Sequence, residues 1–146
     1  VKKYLHAHTV FNNTNNNWPV YRYADVLLLL AECLNEQAKS AEALPYLNLV
    51  RSRAGLPNIT TTVQATLRDV IAKERRIELA FENHRWLDLV RTGKAIEVMT
   101  AYGTKMKQQF SYLGPETYNV TAQRFIFPIP FDEIAINKSL TQNPGY

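Results

Sequence analysis

Apolar residues recur at three- and four-residue spacing through the first two thirds of the chain, which predicts a series of amphipathic helices. The first predicted helix covers 21–37 and is apolar on nearly every side. Its polar positions Asp25 and Glu32 share one narrow strip, so we expect this helix to be mostly buried. The second predicted helix covers 40–53. Because only a few residues join the two, they should pack as an antiparallel hairpin.

Small residues are placed where these two helices would meet. Ala31 and Ala43 are twelve positions apart, an offset that lets paired helices approach closely, as in tetratricopeptide-type repeats. Cys33 lies in the first helix and is predicted to be a small buried hydrophobe. Ser40 is the predicted N-cap of the second helix, and Gly55 is predicted to end it.

A second helix pair is predicted from residue 61 onward. Residues 61–64 fit a capping box, with a hydroxyl at the N-cap and a glutamine three positions later. The helix that follows should cover 64–82. Its apolar face is predicted to consist of Leu67, Val70, Ile71, Ile77 and Phe81. Asn83 tolerates the left-handed conformation that ends a helix, so 84–91 is predicted to form a new short helix, followed by a turn or two over 94–101.

The run 74–93 contains four arginines and four carboxylates beside apolar residues. Glu74 and Glu78 lie one turn apart within the apolar arc, where an ionised carboxylate needs a cationic partner or a shifted pKa. Two interpretations are open: a carboxylate pair for acid–base chemistry, as in a glycosidase, or an internal ion-pair network joining two helices. The network is favoured because each carboxylate has an arginine within one or two turns, with no accompanying nucleophile or metal-ligand set. Its predicted members are Glu74, Arg75, Glu78, Arg85, Asp88 and Arg91.

The helical period is lost after residue 101. Residues 102–123 contain glycine, proline and tyrosine without periodicity and are predicted to form a long loop, with room for a short strand pair. Residues 124–131 should be extended, because two prolines exclude an interior strand or helix. Asp132 is predicted to cap a single helical turn over 133–137.

Composition narrows the function further. The 146 residues, 46% of them apolar, are predicted to form one domain over 1–146. The net charge of +4 comes from basic residues mixed with acids, so nucleic acid is a poor candidate partner.

The single cysteine excludes an internal disulfide and a zinc knuckle, and no catalytic, metal or cofactor residues are predicted. No apolar run is long enough to span a membrane. Because the chain begins at Val1 rather than Met, we expect a processed or truncated product.

Four blocks resemble, in order, the SusD/RagB family of outer-membrane nutrient-binding lipoproteins of Bacteroides-type bacteria. They are RYADVLLLLAECLNE (22–36), LNLVRSRAGLP (47–57), ERRIELAFENHRWLDLVRTGK (74–94) and FPIPFDEIAINKSLTQNPGY (127–146). The resemblance covers nearly the whole chain and is weakest in the Asn-rich stretch near the start and in 101–122. Since family members are much longer, the chain resembles their C-terminal part.

The resemblance implies a mostly α fold of the α-α superhelix type, with tetratricopeptide-like helical hairpins and long irregular loops. Members are cell-surface, lipid-anchored proteins of the outer membrane, whose N-terminal anchor is absent from this chain. They capture oligosaccharides or other nutrients and pass them to a SusC-like TonB-dependent transporter. They are not enzymes, which agrees with the ion-pair interpretation of the charged run.

Ligand contacts are the least specific part of this resemblance, because family glycan sites use aromatic stacking and polar side chains at varying positions. The candidate ligand-binding residues here are the loop aromatics Trp18, Tyr112 and Tyr118. Two other functions remain open. The chain could be a helical protein-interaction scaffold with no sugar site in this segment, or a glycoside hydrolase fragment that uses Glu74 and Glu78.

Overall fold

The computed structural model describes residues 2–4, 7, 9–11, 13, 14, 16, 17 and 19–146. These residues form six α-helices and two short 3-10 turns, and no β-strand occurs among them, which confirms the mostly α prediction. The helices are α1 (Tyr23–Glu36), α2 (Ser40–Arg53), α3 (Gln64–Glu78), α4 (Arg85–Arg91), α5 (Ala95–Gln109) and α6 (Phe131–Ile136). Among the described helices, none is both long and apolar enough to cross a membrane.

The chain divides into two compact units, Val1–His84 and Arg85–Tyr146. In the first unit α1 packs against both α2 and α3. The apolar core between these helices consists of Leu27, Leu28, Ala31, Ala43, Leu47, Val50, Leu67 and Ile71. Ala31 and Ala43 are both completely buried, as expected where two helices of a hairpin approach closely. One domain over 1–146 stays a prediction.

A buried asparagine ties the three helices of the first unit together. The Asn35 amide nitrogen donates to the Gln64 carbonyl over 3.0 Å, and Gln64 Nε2 donates to the Asn35 carbonyl over 2.7 Å. Ser40 Oγ donates to Asn35 Oδ1 over 2.8 Å. The predicted cap at Ser40 is therefore wrong, because Ser40 is the first residue of α2 and its hydroxyl bonds to a side chain.

The predicted capping box at 61–64 is also wrong. The residue before α3 is Val63, which makes no side-chain cap, and the amide of Gln64 is occupied by its bonds to the end of α1. A tertiary contact between two helices has taken the place of the local one that the sequence pattern indicated.

The apolar face predicted for the third helix reaches the core only in its first half. Leu67 and Ile71 are buried, whereas Ile77 and Phe81 are 60% and 66% exposed, so the prediction is wrong for these two. The helix ends at Glu78 instead of residue 82. Past Ile71, the positions that face the neighbouring helices are taken by Glu74 and Arg75, which are buried in ion pairs. Asn83 has the predicted left-handed backbone, with φ of 68°.

The expectation that the first helix is mostly buried is wrong as well. Its two neighbours cover only one side, leaving Tyr23, Val26 and Leu30 exposed, while polar Asp25 is buried. Cys33 is exposed rather than buried for the same reason. Among the described residues, α1 therefore keeps an apolar face with no protein cover.

The second unit has more helix than the sequence indicates. Helix α4 agrees with the predicted 84–91 to within one residue, and Gly93, with φ of 69°, follows it. Helix α5 continues to Gln109, so the loop predicted from 102 is wrong at its start. Helix α5 can continue past residue 102 because Gly103 has no Cβ, which leaves room for the side chain of Tyr118 to pack against the helix.

The C-terminal stretch departs from prediction in two places. Residues Ala122–Phe125 form a 3-10 turn, so the extended segment begins only at Ile126. Asp132 lies inside α6 and does not cap it, because Pro130 occupies the N-cap position. The Phe125 ring packs edge-on against Trp86, with ring centroids 6.1 Å apart.

Candidate functional site

The charged residues of α3 are paired with side chains from α1 and α2. Arg75 Nη1 donates to Asp25 Oδ1 over 2.8 Å, and Arg51 Nη1 donates to Glu74 Oε2 over 2.5 Å. Arg51 also donates through Nε to the Pro57 carbonyl over 2.9 Å, so it links the end of α2 to the loop that follows.

A second group of charges surrounds the C-terminal end of α3. Arg22 donates to Glu78 Oε1 over 3.0 Å and, through Nε, to Glu82 Oε2 over 2.7 Å. Arg53 donates to Glu78 Oε2 over 2.7 Å, and Lys3 donates to the Glu82 carboxylate. Arg22 and Lys3 also donate to the Glu78 main-chain carbonyl, one of the acceptors that a helix end leaves without an internal partner.

Both partners at this helix end have shifted proton affinities. The hydrogen bond to Glu82 raises the pKa of Arg22, outweighing the opposite effect of burial, and Glu78 adds to the increase. Burial alone would raise the pKa of Glu82, but the hydrogen bonds from Arg22 and Lys3 outweigh it and place this pKa below the ordinary glutamate value. Glu82 is therefore held as a carboxylate, not as an acid ready to donate a proton.

This arrangement suits structural ion pairs better than acid–base catalysis. Glu74 and Glu78 each bind an arginine, and every buried side-chain nitrogen or oxygen among the described residues has a hydrogen-bond partner. No group of three or more potential metal ligands is found in the part of the chain that the structure describes. The partners Arg22, Arg51 and Arg53 lie outside the run 74–93, so proximity in sequence did not identify them.

The six residues predicted to form the network fall into both units. Glu74, Arg75 and Glu78 belong to the first unit, as described above. In the second unit, Arg91 donates to Asp88 Oδ1 through Nε over 3.0 Å and through Nη2 over 2.8 Å, one turn apart on α4. Arg85 is the first residue of α4. A structural role for all six stays a prediction.

Among the three candidate ligand-binding aromatics, Trp18 lies outside the described residues. Tyr112 follows α5 and is 80% exposed, with its ring tilted against Phe110 at a centroid distance of 5.7 Å. Tyr118 is half-buried, lies against Gly103 and contacts the Tyr102 ring edge-on at 5.4 Å. Tyr112 is thus available to a ligand, whereas Tyr118 is largely occupied by packing.

An open cleft of about 560 Å³ lies in the second unit, on residues that the sequence did not single out. It is lined by Glu116, Asn119, Thr121, Gln123, Arg124, Pro144 and Gly145. The Arg124 guanidinium lies over the ring of Tyr146, with its central carbon 4.8 Å from the ring centroid. The lining is mostly polar, with charged, amide and hydroxyl groups that can bond to a hydrophilic ligand.

Side-chain hydrogen bonds hold the C-terminal tail beside this cleft. Gln142 both accepts from the Ile129 amide and donates to its carbonyl, each over 2.9 Å. Asn143 donates to the Phe127 carbonyl over 2.8 Å, and the Tyr146 hydroxyl donates to the Ile126 carbonyl over 3.1 Å. These bonds satisfy the backbone of a proline-containing segment that forms no sheet. In the sequence, the adjacent side-chain amides of Gln142 and Asn143 were the only feature that indicated these hydrogen bonds.

Comparison of the sequence with known proteins identifies the family to which the chain is similar. The family model described as the SusD family matches residues 1–146. The SusD-like proteins P38 and P2 of Formosa agariphila are 34% and 37% identical to the chain, over 100% and 99% of its length. The starch-binding protein SusD of Bacteroides thetaiotaomicron is 28% identical over 96% of the chain.

Solved structures agree with the sequence matches. The crystal structure of a SusD homolog from Bacteroides thetaiotaomicron superposes with a TM-score of 0.78 at 34% identity, over 99% of this chain and 30% of the homolog. The matched region makes up 28% of P38, 30% of P2 and 23% of the starch-binding protein. The chain therefore spans less than a third of the length of these relatives.

Proposed function

The chain belongs to the SusD family, and from this membership we propose that it is part of a cell-surface protein that binds glycans or related nutrients. The observation that carries the proposal is the family match over residues 1–146, together with a relative named for starch binding. We propose further that the whole protein is lipid-anchored in the outer membrane and passes its ligand to a SusC-like TonB-dependent transporter.

The cleft of the second unit supports a saccharide as the ligand. Its volume lies in the range of small-molecule sites, and its lining combines amide, hydroxyl and charged groups that can bond to sugar hydroxyls. Tyr112, exposed after α5, offers a ring face for stacking on a sugar. Trp18 and Tyr118 remain further candidates for contact with the ligand.

The proposed activity is binding without turnover. A glycosidase needs one carboxylic acid whose pKa is raised so that it can protonate the leaving group. Glu74 and Glu78 are instead both engaged in ion pairs with arginines at hydrogen-bonding distance. This pairing supports their assignment, with Arg75, Arg85, Asp88 and Arg91, to the scaffold.

A helical interaction scaffold is the second candidate function, and one specific observation favours it. Tyr23, Val26 and Leu30 form an exposed apolar face on α1. Contiguous apolar surface of this kind is typical of protein contacts. Under this alternative the chain would contact protein through α1 and have no affinity for saccharides.

Affinity gel electrophoresis against a polysaccharide panel, with starch as the first member, tests the proposal. We expect the chain to be retarded in gels that contain its polysaccharide, and Tyr112→Ala or Trp18→Ala to reduce the retardation. Tyr21→Ala is the matched control, because Tyr21 is similarly exposed but is not a candidate ligand-binding residue. Normal migration of the chain across the whole panel would contradict a saccharide site in this segment and favour the scaffold.

A further inference from the structure

Within the described part of the chain, Arg124 has no carboxylate partner, unlike most arginines of the first unit. Arg22, Arg51, Arg53 and Arg75 each form an ion pair. Among the described residues, the Arg124 guanidinium has no hydrogen bond or ion pair, and it lies over the face of the Tyr146 ring. This contact places the guanidinium over the ring and leaves its N–H donors without an acceptor in the part of the protein that the structure describes.

The C-terminal residues 144–146 form the side of the cleft against which Arg124 lies. The Tyr146 hydroxyl is bonded to the Ile126 carbonyl, so the ring under the guanidinium is anchored at its far end. Gly145 has a φ of 97°, and a Cβ there would lie 3.0 Å from the side chain of Gln123. Glycine therefore allows the tail to approach the turn that carries Gln123 and Arg124.

The cleft also contains an acidic group that does not neutralise Arg124. Glu116 lines the same cleft and accepts a hydrogen bond from Asn119 Nδ2 over 3.2 Å. No ion pair joins Glu116 to Arg124, although both line the cleft. Thr121 and Gln123 add a hydroxyl and an amide to the same lining as neutral hydrogen-bonding groups.

We propose that this cleft binds an acidic sugar residue, a uronate, whose carboxylate is bound by the edge of the Arg124 guanidinium. A planar guanidinium matches a planar carboxylate through two parallel N–H···O bonds, which are stronger than bonds to neutral oxygens. The sugar hydroxyls donate to Glu116 and bond to the amides of Asn119 and Gln123. The inference rests on the proposed function, since it names the ligand class of a saccharide site.

Isothermal titration with an oligogalacturonate and with its methyl ester tests the inference. The ester keeps the hydroxyls but removes the charge, so the wild-type chain should bind the free acid at least about tenfold more tightly. Arg124→Gln should abolish this preference and bind both ligands as weakly as the wild type binds the ester. A concentration of about 150 mM NaCl screens nonspecific attraction to a cationic protein.

Arg76→Gln is the matched control, because Arg76 is an exposed arginine on α3 and the charge change is the same. It should leave the preference for the acid intact. Equal affinity of the wild type for acid and ester, no binding of the acid, or an equal loss in both variants would overturn the inference. If the chain is retarded by neutral polysaccharides in the gel assay but shows no preference for the acid, only this inference fails. Absence of binding to every saccharide in both assays would contradict the proposed saccharide site in this segment as well.

Discussion

Arg75 on α3 and Asp25 on α1 form a buried ion pair between residues fifty positions apart. Arg75 Nη1 lies 2.8 Å from Asp25 Oδ1, and the two side chains are only 4% and 2% exposed. Each offsets much of the cost of burying the charge of the other. The pair therefore specifies how α3 packs on α1, beyond any contribution of the apolar core.

Removing one member of this pair should be much worse than removing both. Arg75→Met leaves the Asp25 carboxylate buried without its cation, so we expect the free energy of unfolding to fall by about 3–5 kcal/mol. The double variant Asp25→Leu with Arg75→Met should recover most of this loss, because apolar side chains of similar size can replace a buried ion pair. Urea denaturation of the three proteins measures these values. Arg76→Met, on the exposed side of α3, should change stability by no more than about 0.5 kcal/mol. An equally mild effect of Arg75→Met would contradict the role of the pair.

Glu82 should make stability depend on pH in the acid range. Its pKa in the folded protein is lower than the ordinary value of 4.5, so its carboxylate stabilises the fold fully above about pH 4.5. This contribution is lost as the pH falls through the lower folded-state pKa. Glu82→Gln should therefore lower the free energy of unfolding by about 1–3 kcal/mol at pH 7, and the difference from wild type should shrink in more acid solution.

Glu36 provides the control for this experiment. A hydrogen bond from Arg68 also lowers the pKa of Glu36, but both side chains are largely exposed. Glu36→Gln should therefore have little effect at any pH, because solvent screens an exposed pair. A gap between wild type and Glu82→Gln that stays constant from pH 7 to pH 3 would show that the Glu82 carboxylate does not stabilise the fold.

Gly103 should tolerate alanine poorly although it lies inside a helix. Alanine is the better helix former by about 1 kcal/mol, but its Cβ would lie 2.5 Å from Tyr118 Cβ. Tyr118 has little freedom to move away, because its backbone is left-handed and its ring packs on Tyr102. We expect Gly103→Ala to destabilise the second unit by about 1–3 kcal/mol in denaturant titrations.

Gly114→Ala is the matched substitution, since a Cβ at Gly114 would meet no atom within 4 Å. It should change stability by less than about 0.5 kcal/mol. If Gly103→Ala were as stable as Gly114→Ala, the packing of Tyr118 on α5 would not explain why this helix continues past the glycine.

Cys33 should react readily in the folded protein. It is the single cysteine of the chain and is exposed on the uncovered side of α1. An aromatic disulfide reagent should therefore modify one thiol per chain without denaturant, at a rate close to that of the unfolded protein. A requirement for denaturant would mean that this side of α1 is covered in solution, for instance by a second copy of the chain.

Local signals in the sequence were enough for most helix positions. Helices α1, α2 and α4 agree with the predicted ranges to within two residues, because apolar spacing and glycine ends are properties of short segments. Predictions that depended on a neighbour were less successful. The burial of α1 was overestimated since only one of its sides is covered. Glu74 and Glu78 paired with Arg51 and Arg53 of α2 and with Arg22, the residue before α1, rather than with arginines of their own run.

By itself, the sequence determined the helical character of the chain, the hairpin of α1 and α2, the family and the need of Glu74 and Glu78 for cationic partners. The tertiary structure alone decided which arginines serve them, that α5 passes through Gly103, and that the tail closes one wall of a polar cleft around Arg124. The physical reason is the distance along the chain over which each interaction acts. Helix periodicity follows from residues a few positions apart, whereas a buried charge, a missing Cβ or a side-chain amide acts on whichever distant segment the packing brings within contact.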